Sequence, residues 1–231
     1  MNQSLGDSIK FYLNSIETMT RAFSWQAFNK VPIVGIMRNI SYELAEIIAK
    51  NYHAAGLTNL EVTMNSADAE KIISNLVKVH GDKLNIGAGT VCNVEDLERA
   101  LTAGAQFVVT PIIDEDVIRS CKKNNIPVFP GGYTPTEIYK AWSLGASMVK
   151  VFPATRLGPE YIKEILAPLN GIPLMPTGGI TKENFVDFLK AGAKGVGIGS
   201  HLFPKQMIEN NQWEEWRVFL SGFVKQVQLI G

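Results

Sequence analysis

Cysteine and histidine are scarce in this sequence. Its 231 residues include two cysteines and three histidines. The spacing of Cys92 and Cys121 matches neither a zinc-binding motif nor a disulfide framework, which favours a reducing compartment. His53 and His80 fall in segments with helical signals, and His201 follows the last apolar segment. Because these histidines form no cluster with metal-ligand spacing, we favour a functional site without a metal over a metal site.

Long apolar runs and an excess of charge of either sign are also missing. No apolar run reaches the roughly 20 residues that a helix needs to cross a membrane, and residues 1–20 lack the basic start and apolar block of a signal peptide. Lysine plus arginine and aspartate plus glutamate both number 22, which gives no support for a nucleic-acid partner or an anionic membrane surface. We expect a soluble, cytoplasmic protein in which a local site holds any anionic ligand.

The sequence does contain a series of eight short apolar segments that end in polar or glycine-rich residues. Successive segments start 20 to 28 residues apart, and helical signals lie between them. Strands and helices that alternate in this way predict a (β/α)8 TIM barrel. A doubly wound open sheet is the alternative, but the even spacing favours closure. The segments are VPIVGIM from Val31, NLEVTM from Asn59, LNIGAGT from Leu84, FVVTP from Phe107, PVFPGG from Pro127, MVKVFP from Met148, PLMPTGG from Pro173 and GVGIGS from Gly195.

The intervals between these segments carry signals for helix ends. Thr134 precedes a proline, and Glu137 lies three residues after Thr134, which is the pattern of a capping box. Ser41 and Thr181 are predicted to cap helices likewise. Glycine favours the left-handed conformation at a helix C-terminus, so helices are predicted to end at Gly56, Gly104, Gly145 and Gly192.

Both ends of the chain are predicted to be helical. Residues 4–22 place apolar side chains at helical spacing, so we expect an extra helix that plugs the N-terminal end of the barrel. Residues 213–229 are predicted to form the final helix. Because no linker is evident, we expect a single domain over residues 1–231, with residues 1–28 as an N-terminal helical extension.

A lysine lies at the centre of one apolar segment. Lysine is almost never fully buried unless it is paired or used chemically. The strand neighbours of Lys150 are valines that suit a helix layer, so by alternation Lys150 should face the barrel interior. The same alternation turns Glu61 and Thr63 inward. A structural lysine–glutamate pair is one explanation, although burial makes such a pair costly unless it is well compensated.

A reactive amine is the other explanation. Burial and a neighbouring cation lower the pKa of an amine, and a neutral amine can attack a ketone to form an imine. The protonated imine is an electron sink, which stabilises the carbanion left when a carbon–carbon bond breaks. Lys150 would then be the nucleophile, Glu61 would move protons, and no cofactor would be needed.

Two glycine-rich strand ends suggest an anion site. Chemistry in a barrel lies at the carboxyl ends of the strands, and barrels often bind phosphate after the seventh and eighth of them, through backbone N–H groups. Here those ends are PTGG at 176–179 and GIGS at 197–200. We therefore predict a phosphate site that includes Thr177, Gly178, Gly179, Gly199 and Ser200.

Together these segments resemble the class I aldolases of the 2-keto-3-deoxy-6-phosphogluconate (KDPG) type, which include 4-hydroxy-2-oxoglutarate aldolases. The resemblance extends from about Val31 to His201. It implies a homotrimer of (β/α)8 barrels that cleaves KDPG to pyruvate and glyceraldehyde 3-phosphate, or 4-hydroxy-2-oxoglutarate to pyruvate and glyoxylate. The matching motifs are EVT at 61–63, IGAGTV at 86–91, TP at 110–111, KVFPA at 150–154, PTGGI at 176–180 and GIGS at 197–200.

The resemblance also implies roles for individual residues. Lys150 matches the Schiff-base lysine of the family and Glu61 its general acid/base. Some members carry an arginine where this sequence has Asn65, so we expect Arg38 to hold the substrate carboxylate and Asn65 to cap a helix that begins near Ser66. The other matching positions are Arg38 and Thr90 around the carboxylate, Pro111 and Phe152 in the pocket wall, and Gly178, Gly179 and Ser200 at the phosphate.

Other functions stay open at this point, because a fold does not determine an activity. One is an aldolase for the galactonate epimer of the same substrate. A phosphosugar-binding barrel without catalysis is another, which the presence of Lys150 and Glu61 disfavours. An isomerase or synthase on the same barrel is disfavoured by the KVFPA segment at 150–154.

Overall fold

Eight strand positions alternate with helices in the computed structural model of the protein, which describes residues 22–230. The paired strands run parallel to one another. The fifth position holds two short strands with Pro130 between them. The strands are β1 (Ile33–Met37), β2 (Asn59–Thr63), β3 (Asn85–Gly89), β4 (Val108–Val109), β5 (Val128–Phe129), β6 (Gly131–Gly132), β7 (Val149–Val151), β8 (Leu174–Pro176) and β9 (Val196–Ile198).

Helices precede, connect and follow these strands. A single turn of 3-10 helix, Ala154–Arg156, lies directly after β7. The α-helices are α1 (Trp25–Lys30), α2 (Tyr42–Ala54), α3 (Ala69–His80), α4 (Val94–Thr102), α5 (Glu115–Lys123), α6 (Pro135–Leu144), α7 (Gly158–Leu166), α8 (Phe185–Lys190), α9 (Lys205–Glu209) and α10 (Trp213–Gln228).

Hydrogen bonds close the strands into a ring. One set of strands pairs in the order β5-β4-β3-β2-β1-β9, and a second set in the order β6-β7-β8. The two sets meet where the Ser147 N–H donates to the Val128 carbonyl at 2.9 Å, and again where Thr177 bridges to Gly197. The (β/α)8 barrel predicted from the sequence is therefore confirmed, and the open sheet is wrong.

Alternation along the strands divides the apolar side chains between two layers. Residues that face outward, such as Leu60 and Val149, pack against the helices in the larger core. Residues that face inward fill the barrel itself. Because Lys150 lies two residues beyond the inward-facing Met148, it stands above this apolar filling. The inward cluster consists of Val34, Phe107, Val109, Phe129, Met148 and Met175, together with Phe28 of α1.

Helix α1 closes the N-terminal end of the barrel. Phe28 is fully buried, and its ring centroid lies 6.1 Å from that of Phe129 inside the barrel. Just before α1, the Ser24 N–H donates to Oδ1 of Asn85 at 2.8 Å, which ties this segment to the start of β3. Residues 4–21 of the plugging helix predicted at residues 4–22 lie outside the described residues, which begin at Ala22.

Most helix ends predicted from the sequence are confirmed. The capping box of Thr134 and Glu137 begins α6, and the final helix is α10. Ser41 takes the N-cap position of α2 as predicted, although its hydroxyl makes no capping bond. The Thr181 hydroxyl accepts from the Glu183 N–H at 3.2 Å in the turn that leads into α8, but Asn184 takes the N-cap position of that helix. The backbone φ angles of Gly56, Gly104, Gly145 and Gly192 are 95°, 91°, 110° and 107°, as left-handed helix ends require.

Short helix α9, between β9 and α10, was not expected from the sequence. Its five residues are too few to show a helical period. None of the helices in residues 22–230 is long and apolar enough to span a membrane.

Candidate active site

The amine of Lys150 is buried inside the barrel. Lys150 is the central residue of β7, and its backbone N–H donates to the Pro130 carbonyl at 2.9 Å. The residue is 5% exposed. Its Nζ lies 4.6 Å from the centroid of the Phe152 ring, so the face of that ring forms one side of the amine's surroundings.

Burial lowers the pKa of the Lys150 amine, because the charged form loses its hydration. The negative charge of Glu61 opposes this shift, and the positive charge of Arg38 adds to it. An amine whose pKa is lowered is neutral for a larger fraction of the time, and the neutral form is the nucleophile.

The carboxyl of Glu61 is also buried, and its charge and that of the Lys150 amine act on each other's pKa. Glu61 is the central residue of β2 and is 1% exposed. Burial raises its pKa, while the charges of Lys150 and Arg38 oppose that shift. A carboxyl whose pKa is raised toward neutrality can both accept and donate a proton.

The contacts of this pair argue against a purely structural role. A buried ion pair is tolerated when hydrogen bonds satisfy its remaining polar atoms. Oε2 of Glu61, however, has no hydrogen-bond partner among residues 22–230. A buried oxygen left without a partner costs about 1–3 kcal/mol or more, which is expected where a ligand will supply the missing contact.

Arg38 and Thr90 meet at the mouth of the barrel. They follow β1 and β3, and Nη2 of Arg38 donates to Oγ1 of Thr90 at 3.4 Å. Arg38 is exposed, whereas Thr90 is half-buried. Thr90 has a φ of 55°, in the left-handed region where threonine is uncommon. The structure therefore brings together the two residues that the resemblance places around a carboxylate.

Ser66, not Asn65, fixes the loop after β2. The Ser66 hydroxyl lies 2.8 Å from that of Thr63 and accepts a hydrogen bond from the Asn39 N–H at 3.0 Å. Helix α3 begins at Ala69, three residues later than expected. The predicted capping role of Asn65 is therefore wrong. Asn65 is exposed, and Ser66 instead links this loop to the residue that follows Arg38.

A glycine turn follows β8 beside the strand that carries Lys150. Gly178 and Gly179 have φ angles of 93° and 70°, which favour glycine. A Cβ at position 179 would lie 2.7 Å from Cα of Thr155, so the turn also needs glycine to approach that backbone. Thr177 is buried, and its carbonyl accepts from the Ala154 N–H at 2.8 Å.

A cavity of about 730 Å³ opens between the loops after β1 and β9. Arg38, Gly199 and Ser200 lie on its wall, together with Lys205 of α9. Lys150 and Glu61 do not line this cavity. They are buried within the barrel, where the positive charge of Arg38 acts on both of them. The cavity thus brings the GIGS segment and Arg38 to one space.

The two predicted wall residues follow β4 and β7, which flank the fifth strand position. Pro111 follows β4, and its carbonyl packs against Gly131 so closely that a Cβ there would overlap it. Phe152 follows β7 and covers the Lys150 amine. Both side chains are partly exposed.

Sequence reasoning missed the proximity of Cys92 to the amine. Cys92 is half-buried, and its Sγ lies 3.6 Å from the Thr90 carbonyl. Burial and the negative charge of Asp96 raise the pKa of the thiol, while the positive charge of Lys150 lowers it. Its position two residues after Thr90 could have indicated this placement. Within residues 22–230, no group of three or more histidine, cysteine, aspartate or glutamate side chains could hold a metal ion.

Comparison with known proteins places this site in a family. A model described as "Aldolase: KDPG and KHG aldolase" matches residues 26–218. The 2-dehydro-3-deoxy-6-phosphogalactonate aldolase of Escherichia coli is 34% identical over 88% of this chain and 99% of its own length. The 2-dehydro-3-deoxy-phosphogluconate aldolase of Haemophilus influenzae is 36% identical over 74% of this chain and 79% of its own.

A solved structure extends this similarity to the fold. The KDPG aldolase of Legionella pneumophila, with pyruvate captured as a covalent carbinolamine intermediate, superimposes with a TM-score of 0.75 at 28% identity. The match covers 87% of this chain and 94% of that one. The chain belongs to the KDPG and KHG aldolase family.

Proposed function

We propose that this aldolase cleaves 2-keto-3-deoxy-6-phosphogluconate to pyruvate and glyceraldehyde 3-phosphate through an imine on Lys150. The observation that carries the proposal is the burial of the Lys150 amine and the Glu61 carboxyl, whose charges act on each other, while Oε2 of Glu61 has no partner among the described residues. We also propose 4-hydroxy-2-oxoglutarate as a substrate, which would yield pyruvate and glyoxylate.

The reaction begins at the ketone. The neutral amine of Lys150 adds to C2, and loss of water gives a protonated imine. Glu61 takes the proton of the C4 hydroxyl as the C3–C4 bond breaks. The bonding electrons move into the imine to give an enamine, and C4 leaves as the aldehyde of glyceraldehyde 3-phosphate. A proton returns to C3, and water hydrolyses the imine to release pyruvate and the free amine.

The charges around the pair suit this sequence of proton transfers. Burial favours the neutral form of both groups, so the amine is available as a nucleophile and the carboxyl can hold a proton. When the imine becomes positively charged, the carboxylate form of Glu61 stabilises it. The protonated imine takes the role of electron sink, so the mechanism uses no metal or other cofactor.

The two ends of the substrate are assigned to different parts of the barrel mouth. Arg38 and Thr90, joined at 3.4 Å, are assigned to the carboxylate next to the ketone. Pro111 and Phe152 form the wall around the reacting carbons. The phosphate is assigned to the two glycine-rich strand ends, at Thr177, Gly178, Gly179, Gly199 and Ser200.

A second candidate substrate is the galactonate epimer, 2-dehydro-3-deoxy-6-phosphogalactonate. The relative from Escherichia coli acts on it by name and aligns over nearly its whole length. The two epimers differ at C4, whose hydroxyl Glu61 deprotonates, so the same residues serve either substrate. A non-catalytic phosphosugar-binding barrel is disfavoured, because it would not need a buried amine and carboxyl.

The domain organisation, oligomeric state, location and partners of the enzyme are proposed from the sequence and its family. We propose that residues 1–231 form one barrel domain, with residues 1–28 as its N-terminal extension, and that three copies assemble as a homotrimer. We further propose that the enzyme acts in the cytoplasm on a small phosphorylated keto acid, without a nucleic-acid or membrane partner.

Trapping the imine tests the mechanism. The protein is incubated with pyruvate and borohydride, digested, and examined by mass spectrometry. We expect a reduced pyruvyl group on Lys150, whereas modification of another lysine, or of none, would contradict the proposal. A retro-aldol assay on KDPG, its galactonate epimer and 4-hydroxy-2-oxoglutarate then ranks the substrates. Absence of cleavage of all three would favour the non-catalytic barrel.

A further inference from the structure

Asn184 uses its side chain in an unusual way for a residue at the start of a helix. It occupies the N-cap position of α8, where asparagine normally accepts a hydrogen bond from the helix itself. Its side chain makes no such bond. Instead, Nδ2 donates to the carbonyl of Gly179 at 3.0 Å, and Oδ1 accepts from the Thr181 N–H at 2.8 Å.

The first of these bonds fixes the orientation of the Gly179–Ile180 peptide group in the glycine turn, and the second holds the peptide group that follows it. Because a trans peptide is planar, its N–H points opposite to its carbonyl. The bond to the Gly179 carbonyl therefore also sets the direction of the Ile180 N–H. Glycine offers little resistance to rotation of its own peptide, so a turn with two consecutive glycines needs an external contact to hold one orientation.

The N–H groups of this turn are available for a ligand. No acceptor within residues 22–230 takes a hydrogen bond from the backbone N–H of Gly178, Gly179 or Ile180. Consecutive unpaired N–H groups in a left-handed turn form a concave site for anions. The turn also packs directly on Thr155, beside the strand of Lys150.

We propose that Asn184 is a positioning residue for phosphate binding: it holds the Gly179–Ile180 peptide so that its N–H is directed at the substrate phosphate. This inference rests on the proposed phosphosugar aldolase activity and adds to it a residue outside the glycine motifs. Asn184 does not touch the substrate, and its effect passes through the peptide group that it orients.

The proposal predicts that loss of the Asn184 side chain raises KM only for the phosphorylated substrate. In Asn184→Ala, we expect KM for KDPG to rise about five- to tenfold, while kcat and the KM for unphosphorylated 2-keto-3-deoxygluconate change less than about twofold. Asn184→Asp keeps the acceptor for Thr181 but sets a carboxylate against the Gly179 carbonyl. Its KM for KDPG should therefore rise at least as much.

A matched control separates this role from simple stabilisation. Nδ2 of Asn124 donates to the Ser120 carbonyl at 2.8 Å at the end of α5, away from the strand ends that form the site. We expect Asn124→Ala to lower Tm without changing the ratio of KM values for the two substrates. If Asn184→Ala also lowers Tm but leaves that ratio unchanged, the residue is structural and the inference is wrong.

The remaining outcomes separate this inference from the function on which it rests. If the wild-type protein cleaves neither substrate, the proposed aldolase activity fails. If it cleaves both but does not prefer the phosphorylated one, the phosphate site and the role of Asn184 both fail. If Asn184→Asp behaves as wild type, donation to Gly179 has no function, and the inference alone is overturned.

Discussion

Gly89 leaves the space that the carboxylate of Glu61 occupies: a Cβ at position 89 would overlap Oε1 of Glu61. The two residues lie on the paired strands β2 and β3. Gly89 belongs to the IGAGTV segment, whose glycines have no obvious purpose in the sequence alone. Glu61, two residues before the β2 residue that pairs with Gly89, supplies the reason, because its buried carboxyl requires that a side chain be absent at position 89.

Gly89→Ala is therefore expected to displace Glu61. Overpacking should lower the free energy of unfolding by about 1–3 kcal/mol, and the misplaced carboxyl should lower kcat by roughly tenfold or more. Urea unfolding and a retro-aldol assay measure the two effects. Gly171→Ala is the control, since a Cβ there would have no neighbour within 4 Å. Equal kcat values in both variants would show that Glu61 tolerates the change.

Glu61→Gln tests the carboxyl directly. The amide has nearly the same shape but cannot accept the C4 proton as a base, so we expect kcat to fall roughly 100-fold or more. Borohydride should still trap pyruvate on Lys150, because imine formation depends on the amine. Glu164→Gln, at an exposed position on α7, is the control. An unchanged rate in Glu61→Gln would mean that another group moves the proton.

The fold could be predicted from the sequence because its signals are local and repeated. Each apolar segment is bounded by polar or glycine-rich residues, and eight such units at similar spacing leave few alternatives to a closed ring. Inward orientation of Lys150 and Glu61 followed from alternation alone. Short α9 escaped prediction, since five residues give no periodicity.

The details of the site were less predictable, because they depend on contacts between distant segments. The hydroxyl of Ser66 bonds to the Asn39 N–H of a different loop, and no local pattern indicates that choice over a helix cap at Asn65. Asn184 is similar: its side chain turns back to Gly179, although a residue of this type before an apolar run suggests an ordinary N-cap.

Lys150→Met is expected to stabilise the protein while abolishing imine formation. Methionine fills a similar volume without a charge, so the desolvation cost that lowers the pKa of the amine disappears. The free energy of unfolding should therefore rise at neutral pH, by about 1.4 kcal/mol for each unit by which that pKa is lowered. The buried carboxyl of Glu61 loses a positive neighbour and takes the protonated form that its raised pKa favours. Lys78→Met, at an exposed position on α3, should change it by less than about 0.5 kcal/mol. Loss of stability in Lys150→Met would mean that the amine is structurally required.

The free energy of unfolding of Lys150→Met, relative to that of the wild-type protein, should change with pH in a defined direction. The pKa of Lys150 is lowered in the folded protein, whereas in the unfolded chain it is about 10.4. Between these values the unfolded state binds more protons, so the contribution of Lys150 to stability grows as pH rises and is lost as pH falls. The advantage of Lys150→Met should therefore shrink from neutral pH toward about 10.4. Urea unfolding of both proteins across this range measures it, and an advantage that grows with pH would contradict the lowered pKa.

Arg38, rather than Asn65, is expected to hold the substrate carboxylate. Arg38 reaches Thr90 at the barrel mouth, whereas Asn65 is exposed and caps no helix. Arg38→Ala should weaken pyruvate binding by about 1.5–3 kcal/mol, the scale of a charged hydrogen bond. Asn65→Ala should cost less than about 0.5 kcal/mol, as an exposed side chain without such contacts would. Pyruvate affinity is measured for each variant as the inhibition constant of pyruvate in the KDPG cleavage assay. If Asn65→Ala is the more damaging change, the amide binds the carboxylate, and Arg38 has been assigned the wrong role.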